Sequence, residues 1–236
     1  MSDGIWVSLF SGGKDSVGAF YRGRQAGLPV ERLLTVHPEG DSYLYHVPAT
    51  RIANLAAESM GVEMTAVEGP NVSGHDSTER GDDEIEPVET ALRTLDADLP
   101  GGVTGVTVGA VESDYQASRV SAMCDRLGID MYAPLWQTDS MELGRWFLDT
   151  GFEIRIVQVA AAGLDQSWLG RTLDEDALSA LAELHEDYGV HVLGEGGEYE
   201  TLVTDGPHMS RPIEIEYSTV WEGTRGHVEI ESARLG

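Results

Sequence analysis

The 236-residue sequence contains one cysteine, Cys124, and one lysine, Lys14. A single cysteine excludes an intrachain disulfide, a paired-cysteine redox motif and a cysteine-rich zinc site. No apolar run approaches the roughly 20 residues of a membrane-spanning helix, and the N-terminus has neither the basic segment nor the cleavage site of a secretory signal. We therefore expect a soluble, cytoplasmic protein with no membrane partner.

Basic residues are also scarce, since 15 Lys and Arg face 41 Asp and Glu and the formal net charge is -26. Because 41% of the residues are hydrophobic, the chain is too apolar for an acidic disordered protein and long enough for a sizeable core. Dispersed carboxylates with almost no lysine predict adaptation to a salty cytoplasm, and we expect an archaeal, halophilic source. Molar salt shortens the Debye length to about 3 Å, so the net charge says little about partners.

Strand and helix patterns alternate in the N-terminal half. The strands are predicted at 5–10, 32–37, 64–67 and 105–111, and the helices at 15–25, 49–60, 84–95 and 113–127, with a polar loop at 69–83. This order predicts an α/β fold with a parallel sheet and helices on both of its faces.

The pattern changes after Pro134. A helix with Asp139 as its cap, a strand at 152–160 and a helix opening at Thr172 precede about 45 residues that alternate as strands around glycine turns. We predict two domains, an N-terminal domain over residues 1–133 and a smaller α+β domain over residues 134–236.

A glycine-rich turn, Ser11-Gly-Gly-Lys-Asp-Ser16, joins the first strand to the first helix. Such a turn aims backbone N–H groups and the positive end of the helix at an anion, usually phosphate. It lacks the Walker pattern, because Asp15 follows Lys14, and it lacks the third glycine of the dinucleotide fingerprint. It resembles the pyrophosphatase loop (PP-loop) of enzymes that split ATP into AMP and pyrophosphate. The alternative is an ordinary tight turn, which the retention of the single lysine here disfavours.

In a loop of this kind each residue has a task. Glycines let the backbone approach phosphate oxygens, hydroxyls donate hydrogen bonds, the ammonium group adds positive charge, and a carboxylate holds Mg²⁺. The corresponding candidates are Gly12 and Gly13, Ser11 and Ser16, Lys14, and Asp15.

A second cluster lies near the C-terminus, in Gly194-Glu-Gly-Gly-Glu-Tyr-Glu-Thr201. Three carboxylates within six residues, Glu195, Glu198 and Glu200, repel one another and call for a cation or a set of donors. At period two, Glu198 and Glu200 share one face of a strand, and Tyr199 and Thr201 share the other. For any single glutamate, a solvated turn in a very acidic protein is the simpler interpretation.

Together the two clusters resemble the diphthine ammonia ligase family, the ATP-dependent amidases that complete diphthamide on archaeal and eukaryotic elongation factor 2. The resemblance extends over most of the chain. It includes Ser42-Tyr-Leu-Tyr-His46, Gly109-Ala-Val-Glu-Ser-Asp-Tyr-Gln116, Arg119-Val120, Pro134-Leu-Trp136, Trp168-Leu-Gly-Arg171 and, most specifically, Gly194 to Thr201. Ala117 and Ser121 depart from the charged residues expected at their positions.

The resemblance implies a fold and a reaction. The N-terminal domain would have the adenine nucleotide alpha hydrolase-like (HUP) fold and would face the smaller domain across a cleft. ATP would activate the carboxylate of diphthine as an acyl-adenylate, ammonium would supply the nitrogen, and AMP and pyrophosphate would be released. ATP and Mg²⁺ are the implied cofactors, and elongation factor 2 bearing diphthine is the implied partner. No direct nucleic-acid partner is expected, and a homodimer is possible.

The resemblance also implies site residues. Several of them follow parallel strands, whose carboxyl ends gather at one edge of a sheet. ATP would be bound by residues 11–16 with Val36 and His37. Substrate would be bound by His46, Asp114, Tyr115, Gly196, Gly197, Tyr199 and Thr201. The catalytic group would comprise Lys14, Asp15, Glu195, Glu198 and Glu200, with Asp15 holding Mg²⁺. Two alternatives stay open, since His37 is equally well a strand-end histidine and Asp114 a favourable first-turn charge.

Two other functions fit the loop. A tRNA-modifying enzyme would use the same ATP chemistry, but thiolation commonly needs a cysteine pair, and 14 scattered arginines do not indicate a basic surface. A non-enzymatic nucleotide-binding module would share the α/β layout but would have no use for the glutamate cluster.

Overall fold

The computed structural model describes residues 4–38, 49–69 and 81–236. Its strands are β1 (Ile5–Leu9), β2 (Val30–Pro38), β3 (Glu63–Gly69), β4 (Val103–Thr107), β5 (Asp130–Tyr132), β6 (Glu153–Val159), β7 (Tyr199–Asp205), β8 (Ile213–Glu222) and β9 (Arg225–Leu235). Its helices are α1 (Lys14–Gln25), α2 (Ala49–Met60), α3 (Gly81–Asp98), α4 (Asp114–Leu127), α5 (Ser140–Thr150) and α6 (Glu175–Tyr188). Within the described ranges, no helix is long and apolar enough to cross a bilayer.

The chain forms two compact units, and neither is a single stretch of sequence. The first contains the N-terminal segment to Ser11, the chain from Asp15 through β2, and Val62–Trp136. The second contains Gly12–Lys14, α2 and Gln137–Gly236. A boundary between residues 133 and 134 stays a prediction.

The first unit is built on a parallel sheet with the strand order β3-β2-β1-β4-β5. Val7 and Val106 are register partners on β1 and β4, and both join an apolar core with buried side chains of α3 and α4. The next pair, Ser8 and Thr107, points to the opposite face. There α1 approaches so closely that a Cβ at Gly23 would lie 2.9 Å from the Thr107 methyl group. Helices therefore cover both faces, which confirms the predicted fold class.

The predicted strand at 105–111 is too long, because β4 ends at Thr107. The Val108 N–H still donates to the Tyr132 carbonyl at 3.0 Å, but Ala110 and Val111 lie in a loop. Both are nonetheless almost completely buried. Their apolar character reflects burial in a loop rather than membership of the sheet.

The second unit contains an antiparallel sheet with the strand order β7-β6-β9-β8. Two helices pack together beside it, and the absence of a side chain at Gly144 of α5 leaves room for Leu178 of α6. The predicted cap of α5 is correct, since the Asp139 carboxylate accepts the N–H groups of Met141 and Glu142 at 3.0 Å each.

The predicted start of α6 at Thr172 is wrong. Asp174 is the cap, and its carboxylate accepts the Ala177 N–H at 2.8 Å. Thr172 instead forms an isolated bridge with Arg155 of β6. Threonine and aspartate are both good caps, and it is the pairing with β6 that keeps Thr172 extended.

Helix α2 is tied into the second unit through Ser59. The Ser59 carbonyl accepts the Ser210 N–H at 2.9 Å, and the Ser59 hydroxyl accepts the Arg211 N–H at 3.1 Å. Arg211 also pairs with Glu58 at 2.9 Å. These contacts anchor the C-terminal end of α2 to the segment before β8.

Candidate active site

The loop after β1 begins and ends with hydroxyl groups that lie together. The Ser11 N–H donates to the Ser16 hydroxyl at 3.2 Å, and the two hydroxyl oxygens are also 3.2 Å apart. Ser16 is buried in the first turn of α1, whereas Ser11 is exposed. Both hydroxyls thus stand at the N-terminal end of a helix, where an oxyanion is stabilised.

Gly109, in the loop after β4, packs directly on the first turn of α1. A Cβ at this position would lie 2.5 Å from the carbonyl carbon of Asp15 and 2.6 Å from the Ser16 nitrogen. Only glycine permits this approach, which holds the β4–α4 loop against the helix start. The sequence contained Gly109 in a quoted motif but did not indicate this contact.

The central tripeptide Gly12-Gly13-Lys14 is held by β7. The Val203 N–H donates to the Gly12 carbonyl at 3.0 Å, and the Lys14 N–H donates to the Thr201 hydroxyl at 3.2 Å. Gly12 has a φ of +84°, which favours glycine. Thr201, predicted as a substrate contact, is therefore an anchor of the loop.

The Lys14 side chain ends at a glutamate. Its Nζ lies 3.3 Å from Glu195 Oε1, and the side-chain exposures of the two residues are 5% and 16%. Removing one partner of a buried ion pair leaves an uncompensated charge, which costs about 3–5 kcal/mol. The two sequence clusters, 181 residues apart, thus meet in one ion pair.

His191 organises the backbone that presents Glu195. Its Nδ1 accepts the N–H groups of Leu193 at 3.1 Å and Glu195 at 3.3 Å, so this nitrogen carries no hydrogen. Its Nε2 lies 3.2 Å from the Ser140 hydroxyl. The sequence gives His191 no role, because its spacing contains no recognisable signal.

Glu198 serves the same loop rather than Lys14. Its carboxylate accepts the N–H groups of His191 at 3.0 Å and Gly196 at 2.9 Å. It precedes β7, so the predicted alternation with Glu200 does not extend to it. Glu200 lies on β7 opposite Gln158 and is exposed. The three glutamates therefore have three different environments.

The other residues of this run shape the turn. The buried Tyr199 hydroxyl donates to the Val192 carbonyl at 2.6 Å, and the Tyr199 carbonyl would lie 2.8 Å from a Cβ at Gly194. Gly197 has a φ of +81°, and its N–H donates to the Gly194 carbonyl at 3.0 Å. Three residues of this run are predicted as substrate contacts, and each donates a hydrogen bond within the same segment: Gly196 to Glu198, Gly197 to Gly194 and Tyr199 to Val192.

Comparisons with known proteins identify the family of the chain. Residues 5–131 match the model of the diphthamide synthase N-terminal domain, and residues 139–235 match that of the C-terminal domain. The chain belongs to the diphthamide synthase family. In Danio rerio, a protein named diphthine–ammonia ligase is 36% identical over 221 residues, covering 89% of this chain and 86% of the relative. Its namesake in Homo sapiens is 35% identical over 226 residues, covering 91% and 84%.

Both parts of the site lie inside the matched family domains. The glycine loop falls in the N-terminal diphthamide synthase domain, and Glu195 with its supporting loop falls in the C-terminal one. The family match thus covers both partners of the ion pair.

The remaining predicted contacts are placed only in part. Val36 is half-buried near the end of β2, and Asp114 is exposed as the first residue of α4. The backbone of His37 lies in the same strand, which ends at Pro38, and that of Tyr115 lies in α4, but the side chains of His37 and Tyr115 lie outside the described structure. His46 lies outside the described residues altogether.

The described residues contain no group of three or more His, Cys, Asp or Glu side chains arranged to hold a metal ion. Asp15, predicted to hold Mg²⁺, lies in the first turn of α1, and this role stays a prediction.

Proposed function

We propose that this protein catalyses the ATP-dependent amidation of diphthine on elongation factor 2, forming diphthamide with ammonium as the nitrogen source. Family membership and the names of the relatives support the reaction. The observation that carries the assignment is the ion pair between Lys14 and Glu195. It joins the loop suited to a triphosphate to the glutamate cluster suited to a cation.

The glycine loop would bind the triphosphate of ATP. Ser11 and Ser16 would donate hydroxyl hydrogens, the loop amides would donate N–H groups, and Lys14 would supply positive charge where the pyrophosphate leaves. Mg²⁺, held by Asp15, would neutralise part of the phosphate charge. Val36 and His37 would lie beside the adenine, and Asp114, Tyr115 and His46 would contact substrate.

The chemistry proceeds in two displacements. A carboxylate oxygen of diphthine attacks the α-phosphorus, and the bond to the β-phosphate oxygen breaks to give an acyl-adenylate and pyrophosphate. Ammonia, after loss of one proton from ammonium, then attacks the acyl carbon, and AMP leaves. Amide, AMP, pyrophosphate and two protons balance the carboxylate, ATP and ammonium, because one proton leaves ammonium before the attack and a second leaves the nitrogen as the amide forms.

Glu195 would serve both substrates. Before ATP binds, its carboxylate neutralises Lys14, and a triphosphate that bonds to Lys14 weakens this pair. Once the Glu195 carboxylate is released from Lys14, it can bind another cation. It would then hold ammonium and accept its proton. Glu198 would keep the loop in shape, and Glu200 would add negative charge towards the trimethylammonium group of diphthine.

The activity is tested with elongation factor 2 bearing diphthine, ATP and ammonium. We expect the modified histidine to exchange a carboxyl hydroxyl for an amide NH₂ by mass spectrometry, with equal amounts of AMP and pyrophosphate. Release of ADP, or AMP release without amide, would contradict the proposal. Thiolation of tRNA in a parallel assay with tRNA, ATP and a sulfur donor would favour the tRNA-modifying alternative.

The role of Glu195 is tested with Glu195→Gln. We expect ATP binding measured by calorimetry to be unchanged or tighter, because a competitor for Lys14 is weakened, while amidation is lost. Glu183→Gln removes the same charge from the exposed face of α6 and is the matched control. Loss of ATP binding in Glu195→Gln alone would show that the carboxylate is needed to shape the loop and is not its competitor.

We further propose that the protein acts in the cytoplasm of a halophilic archaeon. The support is its composition, with 14 arginines but one lysine and a net charge of -26. A homodimer stays possible, and sedimentation of the purified protein tests it.

A further inference from the structure

Arg171 is held in a fixed position by its backbone. Its N–H donates to the Trp168 carbonyl at 3.2 Å, and its carbonyl accepts the Ile156 N–H from β6 at 3.0 Å. The preceding Gly170 N–H donates to the Ile156 carbonyl at 2.8 Å. Two consecutive residues thus face one residue of β6, as in a β-bulge, and bulges re-aim side chains and are common near active sites.

The guanidinium of Arg171 lies over the ring of Trp168, 4.5 Å from its centroid. Trp168 is buried and Arg171 is half-buried. Stacking on a ring fixes the plane of the guanidinium but leaves its N–H edges available for hydrogen bonds. The side chain is therefore oriented in advance, which lowers the entropy cost of binding a ligand.

No carboxylate in the described chain lies within salt-bridge distance of Arg171, although acidic residues greatly outnumber basic ones. Its neighbour Arg155 shows the contrast, since it pairs with Glu153 at 2.7 Å. In so acidic a protein, a half-buried guanidinium without an anion is a site of locally positive potential. An oxyanion is the ligand that its paired N–H groups fit.

A second donor stands beside Gly170, the residue before Arg171. The hydroxyl of Tyr217 lies so close to Gly170 that a Cβ there would overlap it, and Gly170 has a φ of +79°. Tyr217 is 38% exposed, and its hydroxyl has no hydrogen-bond partner among the described residues. Glycine at 170 thus makes room for a phenol hydroxyl at the residue that precedes Arg171.

The sheet connects this pair to the catalytic loop. Ile156 bonds to Arg171 on one side and is the register partner of Thr201 on the other. The Thr201 hydroxyl in turn accepts the Lys14 N–H. Two strand spacings, roughly 10 Å, therefore separate the backbone of Arg171 from the anchor of Lys14.

From these observations we propose that Arg171 and Tyr217 form an oxyanion-binding site for a carboxylate or phosphate group of the substrates. This inference rests on the proposed function, because it takes its ligand from that reaction. The oxyanion comes either from elongation factor 2 or from ATP, and the two sources are separated by experiment.

The test compares Arg171→Gln, Arg171→Lys and Tyr217→Phe with wild type, and measures the ATP Kd by calorimetry and kcat/KM for elongation factor 2 bearing diphthine. Losing hydrogen bonds to a charged group weakens binding by roughly 10- to 100-fold, which we expect for Arg171→Gln. Arg171→Lys keeps the charge, so its affinity should lie between those of wild type and Arg171→Gln. Tyr217→Phe should bind several-fold more weakly than wild type. A higher KM with an unchanged ATP Kd identifies a protein carboxylate, whereas a higher ATP Kd identifies a nucleotide phosphate.

Arg145→Gln is the matched control, because Arg145 is exposed on α5 and the variant loses the same charge. Unchanged ATP Kd and KM in all three test variants would overturn the site and leave Arg171 as a packing partner of Trp168. If Arg171→Gln fails to fold, the other two variants decide. If wild type forms no amide, the proposed function fails, and titration with inorganic phosphate then tests the site: equal binding by wild type and Arg171→Gln overturns it, or equal binding by wild type and Tyr217→Phe where Arg171→Gln does not fold.

Discussion

Lys14 combines two properties that seldom occur together in lysine, because it is almost completely buried and its ammonium group is paired with the carboxylate of Glu195. Lysine is a compact charge on a flexible stem, whereas arginine is a wide planar fork. An arginine at position 14 would therefore place a wider group where the side chain is already almost completely buried. This accounts for a lysine at position 14 in a chain that otherwise uses arginine.

Lys14→Arg should weaken ATP binding although the charge is kept. Overpacking a buried site costs roughly 1–3 kcal/mol, which corresponds to a loss of roughly five- to 150-fold in affinity. Calorimetric titration with ATP measures it. Arg145→Lys, the reverse exchange at an exposed position, should bind ATP like wild type, and equal affinity in Lys14→Arg would show that charge alone matters.

His191→Ala should slow amidation while leaving ATP binding intact. The imidazole accepts two N–H groups of the loop that carries Glu195, and each buried donor left unsatisfied costs about 1–3 kcal/mol. Steady-state amidation and ATP calorimetry separate the two effects. His227→Ala, on β9, is the control, and a parallel fall in ATP affinity would contradict a role limited to the glutamate loop.

At the level of elements, the contact between the β4–α4 loop and α1 depends on Gly109. Gly109→Ala should displace the first turn of α1, lowering the thermal unfolding midpoint and weakening ATP binding, because its Cβ would overlap the Asp15 backbone. Gly128→Asn is the matched loop variant, since Asn tolerates the left-handed conformation of Gly128, whose φ is +68°. Equal ATP affinity in the two variants would show that the loop can move without cost.

Helices α3 and α4 are linked by an exposed network. Glu89 accepts hydrogen bonds from Arg126 of α4 at 2.6 Å and from Arg93 of α3 at 2.7 Å. The hydrogen bond from Arg126 is the main cause that lowers the pKa of Glu89, and Arg93 contributes second. A lowered carboxyl pKa in the folded state adds stability above the unfolded pKa of about 4.3, and this stability is lost as pH falls through the folded pKa.

Glu89→Gln should therefore lower the urea midpoint near neutral pH, and its difference from wild type should shrink in acid as the wild-type carboxyl is protonated. Urea unfolding at a series of pH values measures this. Glu86→Gln, on the exposed face of the same helix, should show no such change. A constant difference between Glu89→Gln and wild type across the series would rule out the ion network as its cause.

The elements were predictable where local chemistry decides them. Helix α2 has the predicted bounds, and the Asp139 cap follows from side-chain preference alone. The predictions of a helix start at Thr172 and of a strand through Val108–Val111 were wrong. Pairing with β6 and burial in a loop are tertiary effects that sequence periodicity does not contain.

The sequence predicts which residues form the site, but it does not predict what each of them does. The glycine loop and the glutamate run carry motifs, but nothing local distinguishes Glu195 from Glu198. The distinction arises from a contact with Lys14 across 181 residues and from backbone donors at His191 and Gly196. His191 and Gly109 act through backbone geometry, which leaves no pattern in the sequence.

For the molecule as a whole, the net charge of -26 should make stability depend on salt. Self-repulsion destabilises a highly charged compact state, and molar salt screens it. The thermal unfolding midpoint should rise between low and molar KCl, as circular dichroism can follow. A midpoint that stays constant or falls would argue against adaptation to a salty cytoplasm.

The placement of Gly12–Lys14 in the second compact unit has a consequence for dividing the gene. A fragment ending at residue 133 would keep the phosphate-binding motif but lose Thr201 and Val203, the anchors of its central tripeptide. The complementary fragment would keep Glu195 without its counter-ion. We expect neither piece alone to bind nucleotide, so recombination between homologous genes at that point would tolerate only partners whose β7 accepts the foreign loop.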